Sequence, residues 1–331
     1  MERFALAAAV VLGFALTAAL CSLFVPLRRV LERREQNQQP AQSEQPRPAP
    51  LRAPLWGGLC AAAGTVAAVG VGWLAACVGQ PELLGSEGRL MTRLLTALAG
   101  SLAFGAVGLA EDLARMRSPA ALGLRRDVRL LLEALAAAFV LLLLQAAGCL
   151  PRGLDVPGAG YVLLGSAVPF LWAVLMVALA ECARIAERDE GTVCGAAFVA
   201  MLALMMVEAG LGVSGLAVLP GALAGALVAL GLWAFPPARL GVGCCGSLLA
   251  AGAIGCIPLS LDMTSLTVPL ALPFWAAGGL LAAQLLGAKR TGKPLRCWVK
   301  KHKMSPETVF LCSFALSAVG YVLALALLRW C

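Results

Sequence analysis

The chain has 331 residues, of which 60% are hydrophobic and only 13% charged, against roughly 25% charged residues in a soluble domain. Its +8 net charge does not indicate a nucleic-acid partner, because the basic residues are spread between apolar runs rather than gathered in one patch. Those runs are long and separate, which excludes a barrel of short alternating strands and implies an all-α polytopic membrane protein.

In chain order the sequence predicts about ten spans, near 4–27, 55–78, 94–110, 130–150, 160–180, 192–208, 214–235, 246–262, 267–288 and 309–330. The first run is too long for a signal-peptide core and is read as a retained span. A stretch rich in Pro and Gln follows, and over 28–54 it is expected to be a disordered cytoplasmic loop, because such composition cannot bury a core. No repeat and no second domain is visible, so 1–331 is read as one membrane domain. The connections at 28–53, 111–129, 181–191, 236–243 and 289–308 hold 21 of the 26 Lys and Arg residues. By the positive-inside rule these face the cytoplasm and both termini lie outside. Twelve cysteines are scattered without any C-x-x-C pair, and most lie in apolar runs as small hydrophobes.

The same face collects the chemistry-bearing residues. Ala53-Pro54-Leu55-Trp56-Gly57-Gly58 opens the second span. Phe104 to Arg115 ends the third, with Glu111 and Asp112 side by side and Arg115 at helical spacing from both, a pattern that also suits a salt-paired helix end. Glu181 to Gly191 packs six charges into eleven residues, with Glu181, Arg184, Glu187 and Glu190 on one helical face. Phe235 to Ser247 is a turn of prolines and glycines opening the eighth span, where backbone N–H groups could meet an anion.

These stretches, in this order, resemble the polyprenyl-phosphate phospho-sugar transferases, in particular the bacterial phospho-N-acetylmuramoyl-pentapeptide transferases. Where that family reads T-P-T-M-G-G, this chain has Ala53 to Gly58. Its F-G-x-x-G-x-x-D-D-x-x-K and G-L-x-x-x-x-K fall on Phe104–Arg115 and Gly123–Arg129. Its N-x-x-N-x-x-D-G-x-D-G falls on Glu181–Gly191, and its N-x-x-P-A-x-x-F-M-G-D-x-G-S on Ala234–Ser247. The resemblance implies a magnesium-assisted transfer of a phospho-sugar from a UDP-sugar to polyprenyl phosphate, with release of UMP, in peptidoglycan or envelope polysaccharide synthesis at a bacterial cytoplasmic (inner) membrane. It also implies roles. Glu111, Asp112, Glu187 and Glu190 take the acidic catalytic positions, and Arg115 and Arg129 replace phosphate-facing lysines. Arg184, Lys300, Lys301 and His302 are the remaining candidate substrate contacts.

The departures point the other way. Cys244 stands where the family has a magnesium-ligand aspartate, and a soft thiol suits magnesium poorly. Asp112 and Glu187 remain as candidate ligands, Glu181 and Arg184 replace two asparagines, and the histidine triplet is reduced to His302. The sequence therefore predicts a divergent, catalytically impaired relative that binds polyprenyl phosphate, as a homodimer or with a cell-envelope protein. An active transferase with altered donor or metal is the first alternative, and a membrane transporter or lipid-binding protein the second.

Overall fold

The computed structural model describes residues 2–38, 56–79, 88–117, 123–156, 160–163, 165–187, 192–213, 215–235, 239–286 and 306–330. Runs of Ala, Leu and Gly form helices in the predicted order: α1 (Glu2–Gln38), α2 (Gly57–Gly79), α3 (Gly88–Arg117), α4 (Arg126–Ala146), α5 (Ala167–Ala186), α6 (Thr192–Gly210), α7 (Val218–Ala234), α8 (Gly243–Ser260), α9 (Thr267–Leu270), α10 (Leu272–Leu286) and α11 (Pro306–Trp330). Among the described residues seven helices are long and apolar enough to cross a membrane. The protein is an all-α polytopic membrane protein.

α8 is the axis of the bundle. All of its residues are buried, and α3, α5, α2 and α6 pack around it, while α1 lies against α7 and α2. Small residues make this approach possible. A Cβ added at Gly108 in α3 would collide with the Cys244 carbonyl, and one at Gly58 in α2 with the Gly246 backbone. Lipid-facing side chains such as Phe170, Leu142 and Leu74 are exposed and apolar, as a helix in hydrocarbon requires.

Four boundaries differ from the sequence reading. α3 runs through Glu111, Asp112 and Arg115 to Arg117, so these residues belong to a helix and not to a connection. Arg115 and Arg117 in the last turn complement the helix C-terminus and offset the two acids, which lets the helix outrun its apolar stretch. The predicted fifth span starts later, at Ala167, because Gly153–Val156 and Gly160–Leu163 pair as an antiparallel hairpin with Gly153 opposite Leu163. Gly160 at φ +71° takes the left-handed turn this hairpin needs. The predicted ninth span is broken into α9 and α10, with Pro269 and Pro273 flanking the break at Ala271. At the N-terminal side, α1 continues to Gln38, so the first part of the segment read as disordered is helical, and 39–55 lies outside the described residues.

Candidate functional site

Four helix ends meet at one end of the bundle: the last turns of α3 and α5 and the first turns of α4 and α8. Asp112, with none of its surface exposed, points at the start of α8. The backbone N–H of Cys244 donates to its Oδ1 at 3.0 Å and that of Cys245 to its Oδ2 at 2.9 Å. The glycine turn before α8 does present amides to an anion, and the anion is Asp112 itself. Gly243, at φ +71°, gives that turn its shape.

Around this contact runs a chain of ion pairs. Arg115 Nη2 donates to Glu111 Oε1 at 2.6 Å, and its Nη1 lies 3.8 Å from both Asp112 Oδ1 and Glu187 Oε2. Arg129, 7% exposed, donates from Nε to Glu181 Oε1 at 2.7 Å and lies 3.8 Å from Glu111 Oε1. Arg184 Nη2 donates to the other oxygen, Glu181 Oε2, at 2.6 Å. Cys244 Sγ lies 3.9 Å from Glu187 Oε2. The site thus holds five carboxylates (Glu111, Asp112, Glu133, Glu181, Glu187) and three guanidiniums (Arg115, Arg129, Arg184).

Of the residues singled out by sequence, the structure brings together Glu111, Asp112, Arg115, Arg129, Arg184, Glu187 and Cys244. Glu190, Lys300, Lys301 and His302 lie outside the described residues. Two further carboxylates complete the network. Glu181 bridges two arginines, although the sequence reading treated it mainly as a replaced asparagine. Glu133 is fully buried with Oε1 4.0 Å from Arg129 Nε. Its i+4 spacing from Arg129 on a helix was the available signal.

The donor set does not fit magnesium. A hard cation needs oxygens with open lone pairs in near-octahedral array. Both oxygens of Asp112 already accept amides, both of Glu181 accept guanidiniums, and Glu111 Oε1 accepts Arg115. The position the resemblance assigns to a ligand aspartate carries sulfur. Within the site the buried oxygens without hydrogen bonds are Glu111 Oε2 and both of Glu133, and among the described residues no three His, Cys, Asp or Glu side chains form a metal-holding group.

The fold and site together define a polytopic helical membrane protein with a buried charged cluster built from four helix ends. The chain belongs to glycosyl transferase family 4, whose model matches residues 94–262, half of the chain and every described residue of the site. It is also 32% identical, over 170 residues, to a phospho-N-acetylmuramoyl-pentapeptide-transferase of Desulforudis audaxviator (strain MP104C). That match covers 48% of this chain and 50% of the relative, so the chain spans about half the length of the curated relative it matches.

Proposed function

We propose that this chain is a glycosyl transferase family 4 member in which guanidinium groups stand where family chemistry places a divalent cation. On this reading it binds polyprenyl phosphate at the cytoplasmic face and transfers little or no phospho-sugar. The observation that carries this is the engagement of Asp112. Both of its oxygens hold the first amides of α8, and the next residue of the expected ligand set is Cys244.

The chemistry follows from charge. Joining a nucleoside-diphosphate sugar to a lipid phosphate brings two anions together, which requires mobile positive charge at the reacting phosphates. Here the three guanidiniums are committed to five carboxylates, so the described site is not electropositive and cannot neutralise an incoming diphosphate without breaking its own ion pairs. Arg115 has the most exposed of the three guanidinium side chains and is the natural contact for a single lipid phosphate. Arg125 and Arg126, exposed at the start of α4, extend the basic rim.

The test is UMP release by the purified protein in detergent, given a UDP-sugar such as UDP-N-acetylmuramoyl-pentapeptide, polyprenyl phosphate and magnesium. The expected result is background release, and background again for Cys244→Asp, because Asp112 and the arginine network remain engaged. Turnover at an ordinary transferase rate would refute the reading. Polyprenyl phosphate alone should raise the thermal midpoint of the wild type, and Arg115→Ala should diminish that rise.

A further inference from the structure

Away from the charged network, α1 and α2 share a seam of small residues running antiparallel. A Cβ built on Gly72 would lie 3.0 Å from the Ala9 Cβ, and one on Gly64 would lie 3.1 Å from the Thr17 amide nitrogen and 3.3 Å from its Cα. In each pair the two residue numbers have the same sum, as antiparallel register requires. One turn beyond Thr17 and Gly64 the same register sets Cys21 against Cys60, and both are buried in one apolar cluster at this end of the seam. The seam closes with Phe24 stacked on Trp56, ring centroids 5.9 Å apart and planes 8° from parallel. A disulfide needs Cα atoms roughly 4.4–6.8 Å apart, a spacing that only closely packed helices offer. Both cysteines are free thiols and buried, at 0% and 2% exposure.

We propose that Cys21 and Cys60 are an oxidative modification site: a reversible thiol–disulfide pair that ties α1 to α2. The bond would act on more than the seam. Cys60 lies within the first turn of α2, whose Gly57 N–H donates to the Gly241 carbonyl at 3.2 Å and whose Gly58 abuts the Gly246 backbone. That contact packs α2 on the first turn of α8, the turn whose amides hold Asp112. Cross-linking therefore anchors α1 to the wall of the charged site, whatever activity that site has. On the orientation set by the basic connections the pair lies near a reducing compartment, where protein disulfides are transient and redox-sensing.

Burial selects the oxidant. A small uncharged species that permeates the bundle, hydrogen peroxide, is the class required. One sulfur attacks a peroxide oxygen, the O–O bond breaks, and a sulfenic acid and one water form. The second sulfur attacks the sulfenic sulfur, its S–O bond breaks, and the hydroxyl leaves with the remaining thiol proton as a second water. Two thiols and one peroxide give one disulfide and two waters. Dithiothreitol reverses the bond by exchange.

The experiment treats the full chain in detergent with hydrogen peroxide, blocks remaining thiols under denaturing conditions, and maps non-reduced peptides by mass spectrometry. The expected result is a peptide joining Cys21 to Cys60 that disappears on reduction. The oxidised wild type should also unfold at a higher temperature than the reduced form, a difference absent from Cys21→Ser and Cys60→Ser and retained in Cys194→Ser. Cys312, which is exposed, reports that oxidant was sufficient. Modification of Cys312 with no Cys21–Cys60 link overturns the proposal, as does a link from either residue to Cys194, which shares their apolar cluster. Peptide mapping of the wild type needs no variant to fold, so the outcome is decisive even if a serine variant is unstable.

Discussion

Asp112→Ala is expected to destabilise the bundle by about 3–5 kcal/mol, the largest single effect among the site residues. Asp112 accepts two charge-assisted hydrogen bonds from amides that have no other acceptor within their own helix, since they lie in the first turn of α8. Hydrogen bonds to charged groups contribute about 1.5–3 kcal/mol each, and removing the acceptor strands two buried donors. The carboxylate also meets the positive end of the α8 dipole. Asp112→Asn should lose roughly half as much, because its amide keeps one acceptor oxygen. Thermal unfolding in detergent measures both. An alanine variant as stable as the wild type would show that this contact does not hold α3 to α8.

Glu181→Ala should be the next most damaging change, at roughly 2–3 kcal/mol. Its two oxygens join Arg129 of α4 to Arg184 of its own helix at 2.7 and 2.6 Å. Losing one partner of a buried ion pair costs about 3–5 kcal/mol, because the remaining charge is left uncompensated. The glutamate side chain is 23% exposed, and solvent screening brings the cost below that range. Removing Arg184 as well should recover part of the loss, so the double variant Glu181→Ala with Arg184→Ala is expected to be more stable than additivity predicts. Strict additivity in chemical or thermal unfolding would mean that Glu181 and Arg184 do not act as one unit.

Much of this architecture was legible because a bilayer leaves few choices. A chain that is 60% hydrophobic and divided into runs of span length must satisfy its backbone internally, and helices do so. The order of helices and the motif stretches that resemble the transferases could be read directly. So could the i,i+3 pairing of Glu181 with Arg184 and the i,i+4 pairing of Glu111 with Arg115, since helical spacing alone brings those groups together. The helix ends were less accessible. Hydropathy stops at the first charges, whereas α3 continues past Glu111 and Asp112 because their charges are met by Arg115 and by the start of α8. The break between α9 and α10 was written in Pro269 and Pro273, but an apolar run of span length conceals it.

By itself, then, the sequence determined that the protein is a helical membrane bundle, which family it resembles, and that its acidic and basic residues gather toward the ends of the apolar runs. Those properties follow from composition, length and local spacing, which need no knowledge of distant neighbours. Only the tertiary structure decided that Arg129 bonds to Glu181, 52 positions away, and that Asp112 is consumed by amides 132 and 133 positions away. The seam that sets Cys21 against Cys60 belongs to the same class. Such pairings depend on the register in which helices pack, and a side chain carries no local mark of the partner that packing will bring to it.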